Sequence, residues 1–180
     1  MDNHPCSLCD SNGQCAAPGK AVATQPVSQE DANLTIRPFQ PDDQDAVVGF
    51  FDQMGGETRA FFNRNDANRT TALRYFSDKP EDIRYFMAEQ NGLMVGYVFL
   101  FEMNRSVPWL GIAVREEYKG RHIGRKLLAY AEAYAKAQGK GGILLTTHVS
   151  NIRGQSLYER CGYERMGMHQ SGEVLYLRRW

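Results

Sequence analysis

From Leu34 onward the apolar residues fall into short stretches, each closed by Gly, Pro, Asn or Asp. Leu34 to Phe39 reads as a first strand, with Pro38 marking its end or a sheet edge. Ala46, Val47, Phe50, Phe51 and Met54 then recur at helix spacing; Asp42 or Asp43 can cap that helix, and Gly55-Gly56 stops it. Glu57 to Lys79 predicts a loop and a second helix with Ala72, Leu73 and Phe76 inward. Arg84 to Gln90 and Leu93 to Glu102 flank Asn91-Gly92, the strongest two-residue hairpin signal a sequence offers, and the second of these strands is apolar on both faces, hence central. Trp109 to Val114 is a further short strand. In the long helical pattern after it, Ile123, Leu127, Leu128, Ala131, Tyr134 and Ala135 form one face, Glu132 and Lys136 form a four-apart pair, and Gly139 supplies the stop. Ile143 to Val149 is a near-continuous apolar run suited to a sheet covered on both sides; a short helix from Asn151 and strands Gly162 to Met168 and Val174 to Arg178 complete the chain.

Between Val114 and the long helix lies Arg115-Glu116-Glu117-Tyr118-Lys119-Gly120-Arg121-His122-Ile123-Gly124, so the helix begins inside a basic, glycine-containing loop. The first turn of a helix has free N–H groups and a partial positive charge, which together favour phosphate. Lys119, Arg121, Arg125 and Lys126 add cations, and Gly120 and Gly124 let backbone approach a ligand. The stretch reads as a diphosphate site, with a solvated basic surface helix as the alternative on this loop alone. A Walker A loop is excluded because Gly124 is followed by Arg125-Lys126, and a dinucleotide fingerprint because only two glycines are present.

The second stretch, Asn151-Ile152-Arg153-Gly154-Gln155-Ser156-Leu157-Tyr158-Glu159-Arg160-Cys161-Gly162-Tyr163, supplies an Asn, a small residue three later, Leu-Tyr, a basic residue and Gly-aromatic. Together with the loop it resembles the GNAT superfamily, the acetyl-CoA-dependent N-acyltransferases. The resemblance covers about Leu34 to Trp180 in layout, with the specific motifs between Trp109 and Tyr163. The family's Arg or Gln, Gly, and Gly or Ala positions hold Lys119, His122 and Gly124; His122 for Gly is a departure that requires a backbone angle His can adopt.

The resemblance implies an α/β fold with a central mixed six- to seven-stranded sheet flanked by about four helices. It also implies that the Trp109 and Ile143 strands lie parallel and splay apart. The pantetheine arm of acetyl-CoA would pair with the backbone along Ile112, Ala113 and Val114. The diphosphate would meet Lys119, Gly120, Arg121, His122, Ile123, Gly124 and Arg125, with Asn151 and Tyr158 completing the cofactor site. Tyr158 is implied as the acid that protonates the departing thiolate, the alternative being a packing role with its hydroxyl bonded to backbone. An acceptor alkylammonium must lose a proton before it attacks. Protein N-terminal acetyltransferases of the family often carry a Glu base where this chain has Thr146. His148, two residues further along the same predicted strand, and Glu102, at the end of the neighbouring one, are the candidate bases, with water as the other possibility. Phe61, Phe62, Asn63 and Arg64 are candidates for acceptor contact, with core packing as the alternative for the aromatics. The implied function is transfer of acetyl from acetyl-CoA to a primary amine of a small molecule or protein in a ternary complex; a silent acyl-CoA-binding sensor is the alternative.

Composition adds limits. A chain of 180 residues suits one domain, expected as a monomer or homodimer, and 21 basic against 21 acidic residues gives no reason to expect nucleic acid or an anionic membrane as partner. No apolar run is long enough to span a bilayer and no signal-peptide core is present, so a cytoplasmic protein is expected. Residues 1–33 lack helix or strand periodicity and are expected to form a mobile tail ahead of a domain at 34–180. His4, Cys6, Cys9 and Cys15 could in principle chelate zinc. The few residues between Cys9 and Cys15 offer no core, however, so unpaired thiols and no metal are expected. Cys161 is expected to pack rather than react.

Overall fold

A computed structural model describes residues 33–62 and 66–180. The predicted tail with its His4, Cys6, Cys9 and Cys15, and also Asn63 and Arg64, lie outside the described residues. The described chain forms one seven-stranded mixed sheet in the order β1-β2-β3-β4-β5-β7-β6. The strands are β1 (Leu34–Pro38), β2 (Arg84–Gln90), β3 (Leu93–Phe101), β4 (Trp109–Val114), β5 (Gly142–Thr147), β6 (Glu164–Met168) and β7 (Val174–Arg179). The helices are α1 (Gln44–Asp52), α2 (Gly56–Phe62), α3 (Ala67–Ser77), α4 (Ile123–Ala137) and α5 (Ile152–Arg160).

The alternation of apolar side chains along the strands sorts them into two cores. On one face Leu127, Leu128, Ala131 and Ala135 of α4 pack with Leu110, Ile143, Leu145, Tyr158 and Tyr176. On the other, Val47, Phe50 and Phe51 of α1 and Ala72 of α3 pack with Met87, Tyr97, Phe99 and Ala113. β3 is covered on both sides, as its unbroken apolar run predicts. The Asn91-Gly92 turn closes the β2–β3 hairpin with both residues at positive φ.

Two expectations are corrected. The region after Gly55 forms two helices instead of one: α3 is entered through Asp66 in the left-handed conformation (φ 54°), which a continuous helix could not include. β5 ends at Thr147, two residues short of the apolar run, because the chain turns at His148 to Ser150, where Asn151 N–H bonds the His148 carbonyl at 2.9 Å. As expected of a cap, the Asp43 carboxylate accepts Gln40 N–H (2.7 Å) at the turn that leads into α1; it also accepts from Arg37 (2.7 and 2.8 Å), fastening β1 to that turn.

Immediately after β4, the buried Arg115 joins the strands to α1. Its Nε donates to the Met94 carbonyl (2.8 Å), Nη1 to Gln53 Oε1 (2.7 Å), and the guanidinium lies 5.6 Å from the Phe50 ring centre. This anchors the start of the basic loop.

Candidate active site

β4 and β5 are parallel neighbours but share a single register pair, Trp109 with Leu144, supported by Leu144 N–H on the Pro108 carbonyl at 2.9 Å. Beyond that rung they part, which leaves one edge of β4 without a strand partner. The direction of each peptide group follows from period two. Arg115 N–H donates to Val95 of β3 at 2.9 Å, so Ala113 and Gly111 also turn their groups to β3, and those of Ile112 and Val114 face the gap. Ile112 and Val114 thus turn their main chain to the gap, whereas Ala113 turns its main chain to β3 and its side chain into the α1–α3 core.

The gap leads to the start of α4. Gly120 has φ 85° with open space around its α-carbon, and His122 has φ 61° and ψ 6° as the N-cap of α4. The left-handed angle that the family meets with glycine is therefore met here by histidine. The first N–H engaged inside α4 is that of Lys126, on the His122 carbonyl (3.1 Å). Those of Ile123, Gly124 and Arg125 have no main-chain acceptor among the described residues, although the Ile123 side chain is buried in the core. Arg121 and Arg125 are exposed beside them, the Arg121 guanidinium 5.0 Å from the Tyr118 ring centre.

Two loop residues also meet neighbouring elements. Lys119 Nζ is paired with Glu57 (2.9 Å) and lies 3.7 Å from Glu116, so its charge is directed to the start of α2. Glu116 in turn accepts Thr58 N–H at 3.0 Å, and that bond, with Lys119 nearby, holds its carboxyl below the usual range. A Cβ on Gly124 would lie 3.0 Å from Leu157 Cδ2, so the smallness of this glycine also lets α4 and α5 approach each other.

α5 starts at Asn151, whose Oδ1 accepts Gly154 N–H (3.0 Å) and whose Nδ2 donates to Thr147 Oγ1 (2.9 Å). Both ends of this amide thereby tie α5 to β5. One turn further on, Tyr158 is 7% exposed between the rings of Tyr163 and Tyr176. No hydrogen bond to its hydroxyl is found among the described residues, so the backbone bond expected of a purely packing tyrosine is missing. Burial, then the neighbouring Tyr176 and Glu173, pushes the phenol up and keeps it protonated.

The architecture and these two segments agree with known proteins. The acetyltransferase (GNAT) family matches residues 42–163, more than half of the chain. This chain belongs to that family. It is 30% identical over 90 residues to the N-alpha-acetyltransferase RimI of Mycobacterium tuberculosis, covering 48% of this chain and 55% of that protein. The chain spans about half the length of the curated relatives it matches first. Among solved structures, the GNAT domain of S. lividans PAT superposes with a TM-score of 0.74 at 16% identity, over 84% of this chain and 93% of that one. The PaiA N-acetyltransferase of Thermoplasma acidophilum, in complex with coenzyme A, gives 0.69 at 19% identity, over 82% and 99%. These likenesses show a shared GNAT fold.

On the GNAT sheet, the two candidate bases lie at opposite ends. Glu102 follows β3 beside Trp109, where β4 begins; it has φ 55° and is paired with Arg105 at 2.7 Å, away from the opening. His148 lies just beyond β5, not on it. Its Nδ1 accepts Ser150 N–H (3.2 Å) and lies 2.6 Å from Ser150 Oγ, and its ring stacks on Phe61 at 5.7 Å. The Nδ1 side of the ring is thus turned back onto its own turn. Phe61 packs on the His148 turn, whereas Phe62 packs edge-on against Tyr97 and belongs to the core.

One residue escaped the sequence reading. Glu173 Oε2 accepts the Thr146 hydroxyl at 2.5 Å. It reaches β5 because β7 pairs with β5, Thr147 opposite Val174, and no local pattern in the chain announces that pairing. Cys161 behaves as expected: it is half-buried against the α4 core, and burial pushes its thiol up. Among the described residues no group of His, Cys, Asp and Glu could hold a metal ion, and no helix is long and apolar enough to cross a membrane.

Proposed function

We propose that this chain is an N-acetyltransferase that moves acetyl from acetyl-CoA to a primary amine by direct attack within a ternary complex. The observation that carries this reading is the unpaired edge of β4 at Ile112 and Val114, which runs into the unbonded N–H groups at the start of α4. A pantetheine arm, rich in amides, matches the first, and a diphosphate matches the second. The names of the relatives, RimI among them, and the coenzyme A bound to the PaiA enzyme support the same donor.

Tyr158, buried and held protonated, is the acid for the leaving thiolate. The proton count closes without another reagent. The acceptor ammonium releases one proton to a base and thence to solvent, and its lone pair forms the C–N bond at the thioester carbonyl. As the C–S bond breaks, Tyr158 protonates sulfur, and the second proton leaving nitrogen restores the phenol.

Calorimetry with acetyl-CoA, followed by a thiol-release screen over primary alkylamines and peptides with free N-termini, tests the proposal. Saturable binding with thiol release dependent on amine is expected. Absence of acetyl-CoA binding would overturn it, and binding without transfer to any amine would favour a sensor.

A further inference from the structure

The transfer needs a group that accepts the ammonium proton, and the two carboxylate and imidazole candidates named from the sequence are engaged elsewhere. A different carboxylate stands beside the gap. Glu173 closes the β6–β7 turn, which is held by His169 N–H on the Glu173 carbonyl (2.8 Å) and by Gly172 N–H on the His169 carbonyl (2.9 Å). Its Oε2 accepts from Thr146, while Oε1 has no hydrogen bond among the described residues.

Two further observations place it. Ile143 and Leu145 are in the α4 core, so by period two Thr146 points to the opposite face, where Phe61 stacks on His148 and Trp109 meets His169 at 5.7 Å. Ring faces next to an anion suit an alkylammonium. Elsewhere in the molecule the carboxylates Glu57, Glu102, Glu132 and Glu164 are paired with Lys119, Arg105, Arg178 and Arg179 respectively, but no cation pairs with Glu173 among the described residues. Its charge is left for an incoming cation.

We propose that Glu173, oriented by the Thr146 hydroxyl, is the base that takes the first proton from a primary alkylammonium acceptor. This rests on the transferase reading. The N–H bond breaks, the proton joins Oε1, and the freed electron pair attacks the thioester carbonyl; the protonated carboxyl then returns its proton to solvent.

The test compares each alkylamine that the parent accepts with its aminooxy counterpart, which has nearly the same shape and is unprotonated at neutral pH. Glu173→Gln should lower kcat for the alkylamine by about 10²- to 10⁴-fold while changing that for the aminooxy compound by less than about threefold. Thr146→Val, which removes only the orienting hydroxyl, should lower the alkylamine rate by about tenfold and spare the aminooxy rate in the same way. Equal losses on both nucleophiles, or no loss on either, would overturn the base assignment while leaving the transferase reading intact. If Glu173→Gln does not fold by circular dichroism, Thr146→Val decides alone by the same contrast. A parent protein that binds no acetyl-CoA would overturn the transferase reading itself, and this inference with it.

Discussion

At Tyr158 the two roles open to the residue make opposite demands on one oxygen. A packing role asks for a bonded hydroxyl and an acid role for an available one, and the hydroxyl is unbonded among the described residues. Tyr158→Phe keeps the ring against Tyr163 and Tyr176, so we expect kcat to fall by about ten- to a thousandfold with acetyl-CoA affinity and fold preserved. An undiminished kcat where chemistry limits the rate would remove the acid role. The loop cations divide in a similar way. Lys119→Ala should change acetyl-CoA affinity by less than about threefold, because its ammonium faces Glu57, whereas Arg121→Glu should weaken it by about tenfold through charge reversal beside the start of α4. Calorimetry on the two variants checks the contrast; equal effects would mean that Lys119 leaves Glu57 on binding. His122 was legible because its tolerance for a left-handed angle is an intrinsic property. The engagement of Lys119 was not, since Glu57 lies 62 positions away in sequence.

At the scale of elements, local patterns found every strand, because alternation and turn chemistry are local properties of the chain. Boundaries set by tertiary contacts were less legible: the apolar run Ile143 to Val149 outlasts β5, since Val149 is apolar but exposed in the turn before α5. Asp43 was legible in part. Its type and place announce a helix cap, which it makes by accepting Gln40 N–H, but they do not announce the two-pronged bond from the Arg37 guanidinium. That bond holds the Asp43 carboxyl below its ordinary value of 3.8. A depressed folded-state pKa contributes stability that is present above the unfolded value and lost as pH falls through the folded one. Asp43→Asn should therefore lower stability at neutral pH by about 2 kcal/mol, with the difference from the parent shrinking once the pH drops below the ordinary carboxylate range. Urea unfolding of both proteins at several pH values measures it. A difference that stays constant to low pH would show that the bond does not depend on the carboxylate charge.

Seen whole, the sheet is two units, β1-β2-β3-β4 and β5-β7-β6, joined by one parallel rung and by α4 packed across both. The insertion of β7 between β5 and β6 could not be read from the chain, because sheet order is not a local property, and Glu173 was hidden with it. A donor that pairs with β4 and rests on α4 would bridge the units through its main-chain contacts, and this makes the free edge testable residue by residue. Exchange of an amide proton requires that its hydrogen bond be open. The amides of Gly111 and Ala113, turned to β3, should be protected with or without ligand, whereas those of Ile112 and Val114 should exchange fast in the free protein and slow on addition of acetyl-CoA. At a hundred times the dissociation constant the whole protein should also gain about 2.7 kcal/mol, seen as a rise in Tm. If Tm rises while the Ile112 and Val114 amides stay fast, the donor binds elsewhere on the molecule and the β4 edge is not its site. Slowing at these two amides with Gly111 and Ala113 unchanged would instead map the donor onto the gap where β5 departs.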